Sequence, residues 1–396
     1  MERPADLTAL FSPEAWRAFT AKEMSLNFSA QKGQFKSMMA IRQSISTLDF
    51  YTYLKSRFGK PNGIQSILRR DDSDNIFHWD YLIKAGDVDL YIVGMSRETH
   101  LMIGFDLSDD EWLTLIAAIK GHFGKVGQQK SETLKCLEKW HVFNNPYVSV
   151  ANLCAEKHGD ITDWLEEKNH IEVSGDENDK FASMKASSER AANLFSDCLQ
   201  LRLMTPVMAE AFINLMILAL CKSDVRSDTR QYEAFIRSNI DIKIVDMFYK
   251  CEGFERRPDA QDTEFAAFKA VMDHRNNRIH GNIRPETDYF EIVYFDGTIP
   301  VYPVGGDHIA AFFQGLERQN DPQGVITDYE NVHAFQAYLL SCLNDTARHL
   351  IETLADDPYP GWRKATQRCG HLFPDHSVTS VFEGIRYDDE LRPSQP

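Results

Sequence analysis

Apolar positions in the first third of the chain change period several times. Phe50, Leu54 and Phe58 recur at helical spacing and predict an amphipathic helix over Thr47–Phe58. Three runs rich in β-branched and aromatic residues follow, at Ile76–Ile83, Val88–Gly94 and Leu101–Phe105. Lys84-Ala85-Gly86-Asp87 and Ser96-Arg97-Glu98-Thr99 separate them, and this turn chemistry predicts an antiparallel meander. Ser108 then stands where a helix N-cap would, with Asp109, Asp110 and Glu111 in the first turn and Gly124 at the far end. A short strand near Trp140–Val142 and a helix from about Val148 to Glu167 complete an α+β domain, a small antiparallel sheet plus helices, over residues 1–175.

The polar stretch Ser174-Gly175-Asp176-Glu177-Asn178-Asp179-Lys180 reads as a linker over about 174–183. Beyond it the period is helical. Ala191, Leu194, Phe195, Cys198 and Leu201 form one stripe, and Thr205-Pro206 reads as an N-cap followed by proline at the first helical position. The helix this opens is apolar nearly all round to about Cys221, as a central bundle helix should be. Further helices are expected over about Gln231–Tyr249, Thr263–His280 and Tyr329–Leu354. Phe265, Phe268, Met272 and Ile279 face inward on the second of these, and Val332, Phe335, Leu339, Leu343, Ala347, Leu350 and Leu354 on the third. Tyr289–Phe295 and Thr298–Val304 flank Asp296-Gly297, which suits a hairpin turn. The second domain is therefore expected to be an all-α bundle over 184–356 with an inserted hairpin at 289–304. Residues 357–396, rich in proline and charge, are expected to be a surface tail.

A length of 396 residues suits two or three domains, and 43% hydrophobic with 26% charged residues suits folded cores. The longest apolar run, Ala211 to Cys221, is shorter than the roughly 20 residues a membrane helix needs, and the N-terminus has no signal-like pattern. A cytoplasmic protein without a membrane span is expected. The seven cysteines are scattered with no C-x-x-C pair, which fits reduced thiols and no thiolate zinc site. The net charge of −16 disfavours non-specific coating of nucleic acid. It is unevenly spread, however. From Arg17 to Arg70 ten basic residues face two acidic ones, so that stretch carries +8 and the remainder −24. Phe28, Phe35, Phe50, Tyr51, Tyr53 and Phe58 interleave with those basic residues. RNA contact through Lys32, Lys36 and Arg42 competes here with a solvated face or with docking against the chain's own acidic half.

The densest chemistry lies in Asp273-His274-Arg275-Asn276-Asn277-Arg278-Ile279-His280-Gly281-Asn282, at the end of an expected helix where Gly281 suits the C′ position. Asn276 and His280 are i and i+4, hence on one face, and Arg275 is one step round. No other arginine has a histidine five, six or seven residues downstream. Arg275, Asn276 and His280 resemble the R-N-x-x-x-H form of the R-x(4–6)-H signature of HEPN-domain ribonucleases. The expected bundle agrees with that family's all-α fold. The resemblance covers the C-terminal half only.

The resemblance implies metal-independent cleavage of RNA, in which the ribose 2′-OH attacks the adjacent phosphate. His280 would be the acid/base residue, Arg275 the phosphate and transition-state clamp, and Asn276 the orienting group. Arg278, beside the motif, is a further candidate RNA contact. The resemblance also implies a homodimer and a toxin or antiphage-defence setting, with a regulatory partner protein and no cofactor. The first domain would then sense a trigger, bind a partner or present RNA. The alternative is a non-catalytic interaction protein whose bundle serves dimerisation or binding, and a capped, solvated helix end is the plain structural reading of the same segment. His274 is expected at the surface. Cys369, His371 and His376 have metal-ligand types without regular spacing, and His308 reads as part of an Asp-capped helix start.

Overall fold

A computed structural model describes residues 3–20, 22–23, 36–63, 78–166, 177–280, 286, 289, 291–303, 315–372 and 386–392, excluding the side chains at 177–181, 183 and 278. The chain forms two compact units. One comprises Met1–Lys139 with Phe373–Pro396, the other Trp140–Leu372.

The first unit is built on a sheet whose described strands lie in the order β1-β3-β4-β5-β2-β11. These are β1 (Arg17–Ala18), β2 (Ser37–Ile41), β3 (Trp79–Ala85), β4 (Val88–Gly94), β5 (Thr99–Ile103) and β11 (Arg386–Tyr387). The meander β3-β4-β5 is antiparallel as expected, with Tyr81 opposite Ile92 and Ile92 opposite Leu101. Two-residue alternation sends Tyr81, Ile83, Leu90, Ile92, Leu101 and Ile103 into the main core, and Leu82, Tyr91 and Val93 to a smaller cluster on the other face. Helix α1 (Thr47–Phe58) and helix α2 (Asp109–His122) supply Phe50, Tyr53, Leu54, Trp112, Leu115 and Ile119 to that main core. Both helices start where the sequence signals. Ser46 accepts from the Asp49 N–H, and Ser108 forms a full capping box with Glu111. Helix α3 (Gly127–Lys135) follows a short 3₁₀ turn.

The second unit is helical around one large core. Strand β6 (His141–Val142) precedes α4 (Pro146–Glu166), and α5 (Glu177–Leu220) is the longest element, with Leu201, Met208, Phe212, Ile213 and Met216 buried along it. Then come α6 (Ser223–Ser227), α7 (Thr229–Ile236), α8 (Ile240–Lys250) and α9 (Thr263–Ile279). The hairpin β7 (Tyr294–Asp296) and β8 (Ile299–Val301) follows, then α10 (Pro322–Ser341), α11 (Asp345–Asp356), β9 (Gly361–Arg363) and β10 (Arg368–Gly370). Phe268 stacks on Phe335, centroids 4.1 Å apart, joining α9 to α10 at the centre.

Several expectations are corrected. The unit boundary falls at Lys139/Trp140 and not near 174–183. Cys154 and Ile161 of α4 are buried in the helical core, so this helix belongs to the second unit, and residues 177–183 open α5. Residues 357–396 are not a simple tail. β9 pairs with both β10 and β6 in the second unit, while β11 adds a parallel strand beside β2 in the first. Thr205-Pro206 does not start a helix. It lies inside α5, with Thr205 buried. An interior proline costs about 3 kcal/mol, and burial of about 1.5–3 kcal/mol per large apolar side chain on both sides of it outweighs that cost.

The expected helix over Gln231–Tyr249 breaks between Ile236 and Ile240, and that over Tyr329–Leu354 breaks at Cys342–Asn344. There the Asn344 side chain caps α11 by accepting from the Ala347 N–H at 2.9 Å. Phe195 and Ile279, expected to be buried, are 55% and 54% exposed. In the hairpin, Asp296 pairs with Ile299, so the turn residues are Gly297-Thr298. Gly297, at φ +61°, takes the first central position, as type II′ geometry requires. Finally, Met184–Leu220 within α5 is the one helix among the described residues with an 18-residue window long and apolar enough to cross a membrane, although no uninterrupted apolar run reaches that length. More than half of that window is buried, as a core helix of the bundle would be.

Candidate functional site

Helix α9 carries Arg275 and Asn276 in its last turn and ends one residue before His280. The His280 backbone N–H donates to the Asn276 carbonyl at 3.1 Å, so the helical hydrogen-bond pattern continues to the histidine and fixes its backbone one turn beyond Asn276. Arg275 Nη1 donates to Asn276 Oδ1, also at 3.1 Å. Asn276 and His280 are exposed, while Arg275 is half-buried. Arg275 Nε is buried and has no hydrogen-bond partner among the described residues. The structure thus couples two of the three motif side chains directly and ties the third to them through the backbone. The helix C-terminus, with its partial negative charge, favours the cationic groups gathered there.

His274 is exposed, as expected, and it also pairs with a neighbouring helix. Its Nδ1 lies 3.1 Å from both carboxylate oxygens of Asp328 on α10. Asp328 is buried, so the histidine anchors α9 to its neighbour and is not simply a surface group. Nothing in the local sequence of either residue signals this pairing across 54 positions. The Arg278 side chain lies outside the described residues.

Among the described basic residues of the first unit's Arg17–Arg70 stretch, Arg17, Arg42 and Arg57 are engaged. Arg42 Nε and Nη2 bind both oxygens of Asp389 at 2.8 and 2.9 Å, and its guanidinium lies 3.9 Å from the Tyr387 ring centroid. Asp388 beside it accepts from the backbone N–H groups of Arg42 and Ser44 at 3.0 and 2.7 Å. Burial alone would raise the Asp388 carboxyl, but these hydrogen bonds hold it below the usual carboxylate range. Arg17 binds Glu23 through two bonds, and Arg57 donates to the Tyr53 hydroxyl at 2.7 Å. Phe50 and Tyr53 are buried and offer no stacking surface. Of the candidate RNA contacts here, Lys36 is exposed, Arg42 is committed to the acidic C-terminal segment, and Lys32 lies outside the described residues. Docking against the chain's own acidic residues is therefore realised at Arg42.

His371 Nδ1 is 2.7 Å from Asp357 Oδ2, and burial pushes the Cys369 thiol up to about 11. His376 and His308 lie outside the described residues. No group of three or more His, Cys, Asp or Glu side chains that could hold a metal ion occurs among the described residues. A cavity of about 600 Å³ opens elsewhere in the helical unit, lined by Cys221, Arg226, Asn344 and Cys369 among others. No local pattern signals it, because its walls come from segments up to 150 positions apart. No family model, curated protein or solved structure matches the chain. The functional reading therefore rests on these residues alone.

Proposed function

We propose that the chain is a metal-independent endoribonuclease of the HEPN type, acting as a toxin or antiphage-defence effector, with Arg275, Asn276 and His280 as its site. The observation that carries this reading is the state of Arg275. Asn276 holds one end of its guanidinium, and the buried Nε has no acceptor among the described residues. The side chain is only half-buried and its guanidinium stays charged, so a phosphate oxygen would meet it through a charge-assisted hydrogen bond. His280, exposed one turn on, is placed to exchange a proton with a ribose hydroxyl or a leaving oxygen. A second copy of the chain would bring a second motif to the same RNA, so the active form in this reading is a homodimer. The first unit would present RNA or receive a regulatory signal.

The test is cleavage of RNA by the purified chain in the presence of a chelator, with 2′,3′-cyclic phosphate ends on the products. Loss of cleavage on chelation, restored by a divalent ion, would overturn it. The second reading, a non-catalytic interaction protein, is favoured by the hairpin. Tyr294, Phe295, Ile299 and Val301 are all exposed, and such exposed apolar clusters mark binding surfaces. A chain that self-associates or captures a partner but leaves every RNA intact would support that reading.

A further inference from the structure

The ends of α5 and α8 meet at two cysteines. The Lys222 N–H donates to the Lys250 carbonyl at 2.9 Å and the Glu252 N–H to the Leu220 carbonyl at 2.8 Å. Between these bonds Cys221 and Cys251 face each other as an isolated antiparallel bridge. When the flanking residues make the hydrogen bonds, the enclosed pair is the narrow, non-hydrogen-bonded one, with Cα atoms about 4.5 Å apart and both side chains on the same face. That separation falls inside the roughly 4.4–6.8 Å range that disulfides span. Both thiols are free, with Cys221 9% and Cys251 2% exposed.

The two are not equivalent. Cys221 lines the cavity of about 600 Å³ together with Ser223, Arg226, Glu252 and Cys369, and Cys251 does not. Arg226 is pinned beside it by bonds from Nη2 to the Leu218 and Ile217 carbonyls at 2.7 and 3.2 Å and from Nη1 to the Gln367 carbonyl at 2.9 Å. A small molecule entering the cavity reaches Cys221 first, next to a fixed cation.

We infer that Cys221 and Cys251 form an oxidation site, which a peroxide converts into an intrachain disulfide across the α5/α8 junction. The Cys221 sulfur attacks one peroxide oxygen. An S–O bond forms, the O–O bond breaks, and Cys221 sulfenic acid and one water result. The Cys251 sulfur then attacks the Cys221 sulfur. The S–S bond forms, the S–O bond breaks, and the departing hydroxide takes the Cys251 proton as a second water. Two thiols are oxidised and one peroxide is reduced. Burial raises both thiols, while the Arg226 guanidinium works against this at each. The thiolate fraction at neutral pH is therefore small, and the pair responds to peroxide in excess. Once formed, the bond encloses α6, α7 and α8 in a covalent loop and fixes the end of α5 to that of α8.

The test uses the full chain carrying Cys136→Ser, which removes an exposed thiol. It is incubated with hydrogen peroxide, alkylated, digested without reduction and mapped by mass spectrometry. The expected result is one linked peptide joining Cys221 to Cys251, two fewer alkylatable thiols, and full reversal by dithiothreitol. With Cys251→Ala the link is lost and dimedone traps the sulfenic acid on Cys221. Complete alkylation of both residues after peroxide treatment, or a Cys221–Cys369 link in place of the expected one, would overturn the inference. Both outcomes are read on the chain with both thiols intact, so they do not depend on the alanine variant folding.

Discussion

His274 on α9 and Asp328 on α10 form an ion-pair geometry in which Nδ1 is 3.1 Å from each carboxylate oxygen, the carboxylate being buried and the imidazole more than half exposed. The pair joins the motif-bearing helix to the centre of the helical unit. Residue 274 is thus adjacent to the motif in sequence and structural in role. His274→Ala strands the Asp328 carboxylate, and a buried acceptor without its partner costs about 1–3 kcal/mol. Urea unfolding should show a loss of that order for His274→Ala and a smaller one for His274→Ala/Asp328→Leu. Equal losses would mean that the pair contributes nothing.

Under the ribonuclease reading, His280→Ala removes the acid/base group and should slow RNA cleavage by about 10²- to 10⁴-fold. Arg275→Ala should cost a comparable factor, since a neutral side chain cannot stabilise the charge developing on phosphate. Asn276→Ala should act through Arg275, whose Nη1 it holds at 3.1 Å. His274→Ala is compared at a temperature where it remains folded, and should be much milder. Indifference of cleavage to both Arg275 and His280 would remove the assignment and leave the interaction-protein reading.

Arg42→Glu places a carboxylate against Asp388, Asp389 and Glu390. The expected outcome is release of the β11 segment, read as faster hydrogen exchange at Tyr387 and Asp388 and a lower melting temperature. Asp389→Arg in the same chain should restore part of the loss. Lys36→Glu, at an exposed position, should leave stability unchanged. If the first unit binds RNA there, it should reduce the salt dependence of binding.

Stability of the first unit should depend on pH through His122. The Tyr53 hydroxyl accepts from Arg57 at 2.7 Å, so its one proton points to His122 Nδ1, 3.0 Å away, and the imidazole must be neutral at that nitrogen. Burial, and then the nearby Arg57 charge, lower the His122 pKa from its usual 6.5. A base whose folded pKa is depressed stabilises the fold above the unfolded value and loses that contribution as pH falls through the folded one. The urea midpoint should therefore drop on acidification below about 6.5. In His122→Gln, which accepts without titrating, this part of the slope should vanish. An unchanged slope would assign it to other groups, among them the Asp388 carboxyl at lower pH.

Gly253 adopts φ +84°, and a Cβ there would clash with the Ala347 Cβ. Its carbonyl also accepts from the Asn344 N–H at 2.8 Å, which fixes the start of α11. Gly253→Ala should destabilise the helical unit by about 1–3 kcal/mol from backbone strain alone, with more from the contact. Pairing it with Ala347→Gly should recover only the contact part.

The sequence by itself determined α1, α2 with its capping box, the meander β3-β4-β5 and the extent of α9, because each depends on residues within a few positions of one another. It also placed the motif at an exposed helix end, since helix stop signals are local. The Asn344-Asp345 start of α11 was written there too, masked by an apolar stripe that runs on through the break. Only the tertiary structure decided the rest. Pro206 stays inside α5 because core burial on both sides outweighs its local cost. β11 joins β2, and Arg42 meets Asp389, because chain closure brings positions 347 apart into contact. Cys221 meets Cys251, and His274 meets Asp328, for the same reason: periodicity reports which face of an element is buried, but not which other element will cover it.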